Sequence, residues 1–175
     1  YGTRQTPSST NVHVFDCLFS FITSTSSGGA LSCSTSVTCL LVESSSFFTC
    51  KTSSGYGGAI YFSNTDSGQC IFYKVCGFDC SAPSIGQFSQ VFVYDVASSK
   101  NYVNYSSIVR CINENSGYTL DHRRGKIHCL SFNSSMNKCS NRVGFYCSPC
   151  NDPNSVIGLL SYSSFADNYA TAGTF

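Results

Sequence analysis

The chain has 175 residues, enough for one domain with a real core. Hydrophobic residues make up 42%, which excludes disorder by composition, and only 11% are charged. With a net charge of +1 and no long run of Lys and Arg, nothing draws the protein to nucleic acid or to an anionic membrane surface.

Helix formers are sparse, whereas the 14 Phe and 11 Tyr suit pleated strands and the many Ser and Gly suit turns. The composition therefore predicts an all-β fold. No apolar run reaches the ~20 residues of a membrane span. The chain opens without a secretion signal and reads as a mature form or a fragment, with signal and anchor lying outside it. Twelve cysteines, with sequons at Asn104 and Asn133, suit an extracellular or cell-surface setting.

In chain order, residues 1–11 read as an irregular N-terminal segment of a single domain, 1–175. A motif then recurs. Leu18, Phe47, Ile108, Met136 and Phe165 each stand three residues before Phe21, Cys50, Cys111, Cys139 and Asn168. Cys80 belongs to the same series, with Gly77 in the apolar place and Phe78 beside it as a substitute. Successive members lie 28–31 residues apart. Between them, Gly28-Gly29-Ala30-Leu31 matches Gly57-Gly58-Ala59-Ile60.

A repeat of that length, rich in β formers and poor in leucine, predicts a right-handed, single-stranded parallel β-helix of about six coils. Equivalent residues would then stack about 4.8 Å apart along the axis. Phe21, Cys50, Cys80, Cys111, Cys139 and Asn168 are expected to form one column, and the apolar residues an inner one. Gly28, Gly29, Gly57 and Gly58 serve as turn glycines, because glycine allows positive φ and close backbone approach.

The repeat units resemble those of polymorphic-membrane-protein-type surface proteins, through the two Gly-Gly-Ala blocks and Phe165-Ala166-Asp167-Asn168. They are more similar still to a family of trichomonad surface proteins. That likeness is carried by Cys50-Lys51-Thr52-Ser53-Ser54-Gly55, Gly86-Gln87-Phe88, the stretch from Asn101 to Ser107 and Ser164-Phe165-Ala166-Asp167-Asn168. It covers most of residues 12–175 and is poor across 117–157. The resemblance implies a cell-surface, adhesive β-helix without established enzymatic activity. It carries over no functional residue, and cysteine replaces the family's Asn at 50, 80, 111 and 139.

The chemical constellations are few. The cysteine column reads as stacked buried thiols. Disulfides, where formed, fall on local pairs such as Cys33–Cys39 or Cys76–Cys80. Cys147-Ser148-Pro149-Cys150 reads as a loop disulfide or a free turn, since a structural zinc would need two more ligands. No metal or other cofactor is expected.

The cluster from Asp121 to His128 reads as a solvated basic loop, whose Arg123, Arg124 and Lys126 form a candidate patch for an anionic glycan. Its one acid, Asp121, does not supply the two carboxylates of a pectinase-like hydrolase. No Gly-x-Ser-x-Gly elbow accompanies His13, His122 or His128.

The expected function is a non-enzymatic surface scaffold or adhesin-like module that displays long turns, 112–128 and 140–157. Its expected partner is a host-cell or glycan ligand, with open ends available for end-to-end self-association. A polysaccharide-degrading enzyme and a structural filament are the alternatives.

Overall fold

The computed structural model describes residues 2–154 and 156–172. Tyr1, Ser155 and residues 173–175, at the ends of the expected domain and inside the 140–157 turn, lie outside the described residues. The chain winds as a parallel β-solenoid of about five turns, with no helix among the described residues. The first coil holds β1 (Asn11–Phe15), β2 (Leu18–Ser20), β3 (Thr23–Ser24) and β4 (Leu31–Cys33). The second holds β5 (Cys39–Glu43), β6 (Ser46–Phe48), β7 (Lys51–Thr52) and β8 (Ile60–Ser63). The third has β9 (Gln69–Tyr73), β10 (Cys76–Phe78) and β11 (Ser89–Phe92), and the fourth β12 (Lys100–Asn104), β13 (Ser107–Val109) and β14 (Leu120–Arg123). The fifth has β15 (Lys126–Leu130), β16 (Asn133–Ser135), β17 (Lys138–Cys139) and β18 (Tyr146–Ser148). The winding ends with β19 (Gly158–Ser161), β20 (Ser164–Ala166) and β21 (Tyr169–Ala170).

Like strands of successive coils pair in parallel to make three walls. The first wall is β1-β5-β9-β12-β15-β19, the second β2-β6-β10-β13-β16-β20 and the third β18-β14-β11-β8-β4. The segment before β1 is not wholly irregular, since Gln5 bridges to Leu31 at the open edge of the third wall.

Two sharp corners turn the chain without glycine. Between the first and second walls, Asp16, Ser44, Lys74, Tyr105, Ser131 and Tyr162 all have φ between 47° and 56°. After the second wall, Phe21, Thr49, Asp79, Arg110, Met136 and Asp167 have φ between 52° and 55°. The left-handed conformation costs an L-residue about 1–2 kcal/mol. The stack offsets that cost, because in every coil but the last such a residue donates its N–H along the axis to the next coil. Asp16 donates to Glu43 O (3.2 Å), Phe21 to Phe48 O (3.0 Å) and Tyr105 to Leu130 O (2.7 Å).

Just after each corner residue the chain turns inward. The first inner column is Cys17, Ser45, Val75, Ser106, Phe132 and Ser163. Its serines sit in alternate coils and close the hydrogen bonding there. Ser106 Oγ donates to Asn104 O (2.9 Å) and accepts from the Val75 amide of the preceding coil (3.0 Å).

The second inner column is Ile22, Cys50, Cys80, Cys111, Asn137 and Asn168, as the pairings Thr23↔Lys51, Lys51↔Ser81, Ile112↔Lys138 and Lys138↔Tyr169 fix it. Here Cys and Asn do one job. Cys50 Sγ donates to Phe19 O and Cys80 Sγ to Phe47 O, each at 3.6 Å, as Asn137 Nδ2 donates to Ile108 O (3.1 Å) and Asn168 Nδ2 to Ser134 O (2.8 Å).

Phe21 and Cys139, expected in that column, stand outside it. Cys139 pairs with Ala170, and Phe21 occupies the exposed corner one residue earlier. The expected apolar column also shifts. Phe47, Ile108 and Phe165 stack with Phe19, Gly77 and Ser134, whereas Leu18 faces solvent and Met136 is itself a left-handed corner residue.

The reason for both shifts is that coil length varies within the turns. Leu18 pairs with Ser46, 28 residues on, although Leu31 pairs with Ile60, 29 on. Ile108 pairs with Ser134 only 26 residues later. The apolar-x-x-Cys-or-Asn spacing therefore misplaces the corner by one residue in the first coil and two in the fifth.

Gly77 leaves a gap in the apolar column, and Phe88 of the third wall fills it rather than Phe78. A Cβ on Gly77 would lie 2.4 Å from the Phe88 ring, while Phe78 faces outward against Phe48. From there an aromatic thread runs along the core. Phe19 stacks on Phe47 (4.8 Å), Phe47 meets Phe88 edge-on (5.8 Å), and Phe88 meets Phe72 (6.3 Å). The Gly-Gly turns enter the third wall. Gly28 and Gly57 have φ of 76° and 62°, and Gly86 follows them at 72°. Ala30, Leu31, Ala59 and Ile60 then point into the core.

The second glycine of each pair answers a different need. A Cβ on Gly58 would lie 2.1 Å from Gln87 O of the next coil, with a Ser81 carbonyl 2.5 Å away. Both contacts are backbone and cannot move aside. Gly58→Ala should therefore lower stability by roughly 2–4 kcal/mol, among the larger single-residue effects. Gly117→Ala, where the nearest atom lies at 3.5 Å, should be close to neutral. Urea unfolding of both variants checks this, and equal midpoints would contradict it.

Candidate functional site

The outer face of the third wall gathers most of the chemistry. Alternation along β4, β8, β11, β14 and β18 sends Leu31, Ile60, Ser89 and Leu120 inward, with Cys33, Phe62, Val91 and His122. The residues between them face out and stack in register as Ser32, Tyr61, Gln90, Asp121 and Tyr146. A parallel outward column runs Ser63, Phe92, Arg123 and Ser148. The turns before these strands add Tyr56, Tyr118 and Arg142.

These side chains touch in two groups, which meet around one cleft. Tyr118 and Tyr146 stack at 4.8 Å, with the Arg142 guanidinium 4.6 Å from the Tyr146 ring and its Nη1 donating to the Tyr118 hydroxyl (2.7 Å). The Arg123 guanidinium lies over Phe92 (5.2 Å) and Tyr146 (5.3 Å). Tyr56 and Tyr61 stack at 6.5 Å. Asp121 is fully buried beneath them, accepting from Arg123 Nε at 2.8 Å and from Gln90 Nε2 at 3.0 Å. Burial alone would lower the Arg123 pKa, but the Asp121 hydrogen bond and charge outweigh it, and the net direction is upward. Among the described residues the two Nη groups of Arg123 have no acceptor. Between Tyr56, Tyr61, Gln90, Phe92, Arg123 and Arg124 opens a cleft of about 410 Å³, a size at which ligand pockets commonly begin.

One residue deeper, His122 anchors the strand that carries this floor. Its Nδ1 lies 2.8 Å from Asn101 Oδ1 and its Nε2 2.9 Å from Ser89 Oγ. Asn101 uses its Nδ2 on the carbonyls of Arg123 and Arg124, so its Oδ1 must accept. The imidazole proton therefore sits on Nδ1, and Nε2 accepts from the serine hydroxyl. Burial pushes the His122 pKa down to about 3. The ring is neutral and structural, packed edge-on against Phe72.

The stretch from Asp121 to His128 is thus not a solvated loop. It is the end of β14, a two-residue turn at Arg124-Gly125 and most of β15. The expected Arg123, Arg124 and Lys126 patch is divided by that turn. Arg123 faces out from the third wall, Arg124 is exposed at the turn, and Lys126 starts a strand of the first wall in register with Lys100. The two expected display turns are likewise interrupted, by β14–β15 and by β18.

All twelve cysteines are free thiols, so none of the expected pairs is joined. The geometry gives the reason. Cys76 is exposed on the outer side of β10 while Cys80 is fully buried in its corner, and Cys33 points inward while Cys39 starts a strand with its side chain outward. Cys147 is exposed and Cys150 buried. Burial pushes the Cys33 and Cys129 thiols up to about 12; Cys50 is raised by its hydrogen bond to Cys80 and by burial, and Cys80 by burial and by its hydrogen bond to Cys111. These thiols stay protonated and unreactive.

Of the two sequon asparagines, Asn133 lies on the second wall and donates to Ser107 Oγ (3.0 Å), and Asn104 ends β12 with its side-chain oxygen buried. Among the described residues no group of three His, Cys, Asp or Glu is placed to hold a metal, and no helix is long and apolar enough to cross a membrane. Comparison of the chain with protein-family models, with curated proteins and with solved structures finds no match.

The sequence reading missed Tyr56, Tyr61, Gln90, Phe92, Tyr118, Arg142 and Tyr146. The signal for them was the register itself, once the coil lengths were known.

His122 makes the stack acid-sensitive. Its folded pKa is depressed, so between pH 6.5 and about 3 the unfolded chain binds a proton that the folded chain does not. Stability is complete above pH 6.5 and falls by about 1.4 kcal/mol per pH unit below it. Going from pH 7.5 to 5, the protein should lose roughly 2 kcal/mol that His122→Gln does not lose. Parallel pH dependences in urea titrations of the two proteins would contradict this.

Proposed function

We propose that this chain is a non-enzymatic interaction module of an extracellular or cell-surface protein, and that it binds its partner through the outer face of the third wall. The carrying observation is the Tyr–Arg cluster fixed on adjacent coils by the buried Asp121. Tyr and Arg are the residue types most enriched at binding hot spots, because each offers broad contact together with directional hydrogen bonds. Tyr61, Gln90, Asp121 and Arg123 stand on β8, β11 and β14, each paired to a strand on both sides, so little ordering cost remains for them to meet on binding. Among the described residues, the outward columns of this wall hold one carboxylate, Asp121, already engaged by Arg123 and Gln90. Such a floor positions side chains and offers no second acid for glycosidic cleavage. The resemblance to adhesive surface proteins supports the same reading.

The purified chain, fluorescently labelled, should bind animal-cell surfaces saturably. Tyr61→Ala combined with Arg142→Ala should weaken that binding at least ~10-fold, the scale of a lost hot spot. A control pair away from this face, at the corner after the second wall, Arg110→Ala with Met136→Ala, should leave it unchanged. Equal binding by both double variants would reject the assignment of this face.

A further inference from the structure

Resting on that reading, we propose that the cleft at Tyr61 and Arg124 is a subsite for an acidic saccharide: a sugar ring laid against the tyrosines, with its carboxylate or sulfate held by the two arginines. The wall chemistry is divided in the way such a ligand requires. On one side Tyr56 and Tyr61 present stacked rings, Tyr56 with 39% of its surface exposed. An aromatic face packs well against the C–H face of a pyranose and poorly against a charged group.

On the other side stand two guanidinium groups with unused donors. Arg123 is oriented through Nε by Asp121, which leaves its terminal fork free, and Arg124 is exposed and has no ion-pair partner among the described residues. A planar fork is suited to a carboxylate or sulfate oxygen pair. Between the two sides lies Gln90, almost fully buried, whose Nε2 is taken by Asp121 and whose Oε1 accepts from none of the described residues, ready for a sugar hydroxyl. Ser63 and Thr65 add hydroxyls at the rim.

Charge and size narrow the ligand. The described lining of the cleft holds Arg123 and Arg124 and no carboxylate, with Asp121 beneath it already engaged by Arg123 and Gln90, so a neutral ligand would leave cationic groups without a counter-charge. The protein as a whole carries only +1, so the attraction is local to this cleft and lacks the extended basic field that a nucleic acid needs. The lining spans three coils, about 10 Å along the axis, which is room for a disaccharide.

The test is calorimetric titration of the full chain with three probes: a trigalacturonate, a heparin-derived tetrasaccharide, and neutral maltotriose. An acidic probe should bind at least ~10-fold more tightly than maltotriose, and the better of the two identifies the carboxylate or the sulfate as the anion. Arg124→Ala and Tyr61→Ala should each weaken acidic-probe binding by roughly 10-fold, with thermal melts confirming that both variants fold. Acidic-probe binding that neither substitution affects would overturn the subsite. Equal binding of maltotriose, lost in Tyr61→Ala, would overturn the anion preference while leaving the face as a binding surface. Absence of binding by all three probes at millimolar concentration would overturn the saccharide assignment, and the cell-binding comparison above would still judge the face itself.

Discussion

Everything in this molecule depends on one constraint: each coil satisfies its backbone only through its neighbours. The hydrogen bonds of a parallel solenoid run along the axis, so even the corners, where β pairing would normally lapse, must find partners one coil away. That requirement explains why the twelve described corner residues, none of them glycine, accept a left-handed backbone. It also explains why the residues after them are serine, cysteine or asparagine so often. A buried corner amide or carbonyl would otherwise stay unpaired, at a cost comparable to that of the corner itself. Apolar packing fills the space that this scheme encloses and does not by itself set the winding.

The general architecture was legible because periodicity survives drift. A recurrence near thirty residues, few helix formers and paired glycines exclude other repeat folds. The exact column positions were not legible, and the corners show why. Turn prediction looks for Gly, Asn or Asp, yet Phe21, Thr49, Tyr105 and Met136 hold the same left-handed conformation as Asp16 and Asp79. Nothing in those side chains announces a bend. The fold imposes it from outside, through the carbonyls waiting on the next coil. Gly77 misled for a similar reason: its gap is filled by Phe88, from a different wall, which a single column cannot reveal.

The candidate face was hidden by the same mechanism. Tyr61, Gln90, Asp121 and Tyr146 become neighbours only after β14 and β18 are paired with β11 and β8 in a fixed register. Arg123 was noticed as a charge, but its meaning changed when Asp121 proved buried beneath it and Lys126 fell on another wall. Cysteine was over-read as a source of cross-links. In this stack a thiol at 50 or 80 acts as a weak donor in the place where Asn137 and Asn168 use an amide.

The axial direction of the ladders sets how the protein answers mechanical load. Tension between its two ends pulls along the hydrogen bonds instead of across them, so the strands of one coil part from the next in sequence, like a zip, and never shear all at once. Each event releases about thirty residues of slack before the following coil is loaded. A tether built this way yields in steps at modest force, and its remaining coils keep their shape while the end pays out.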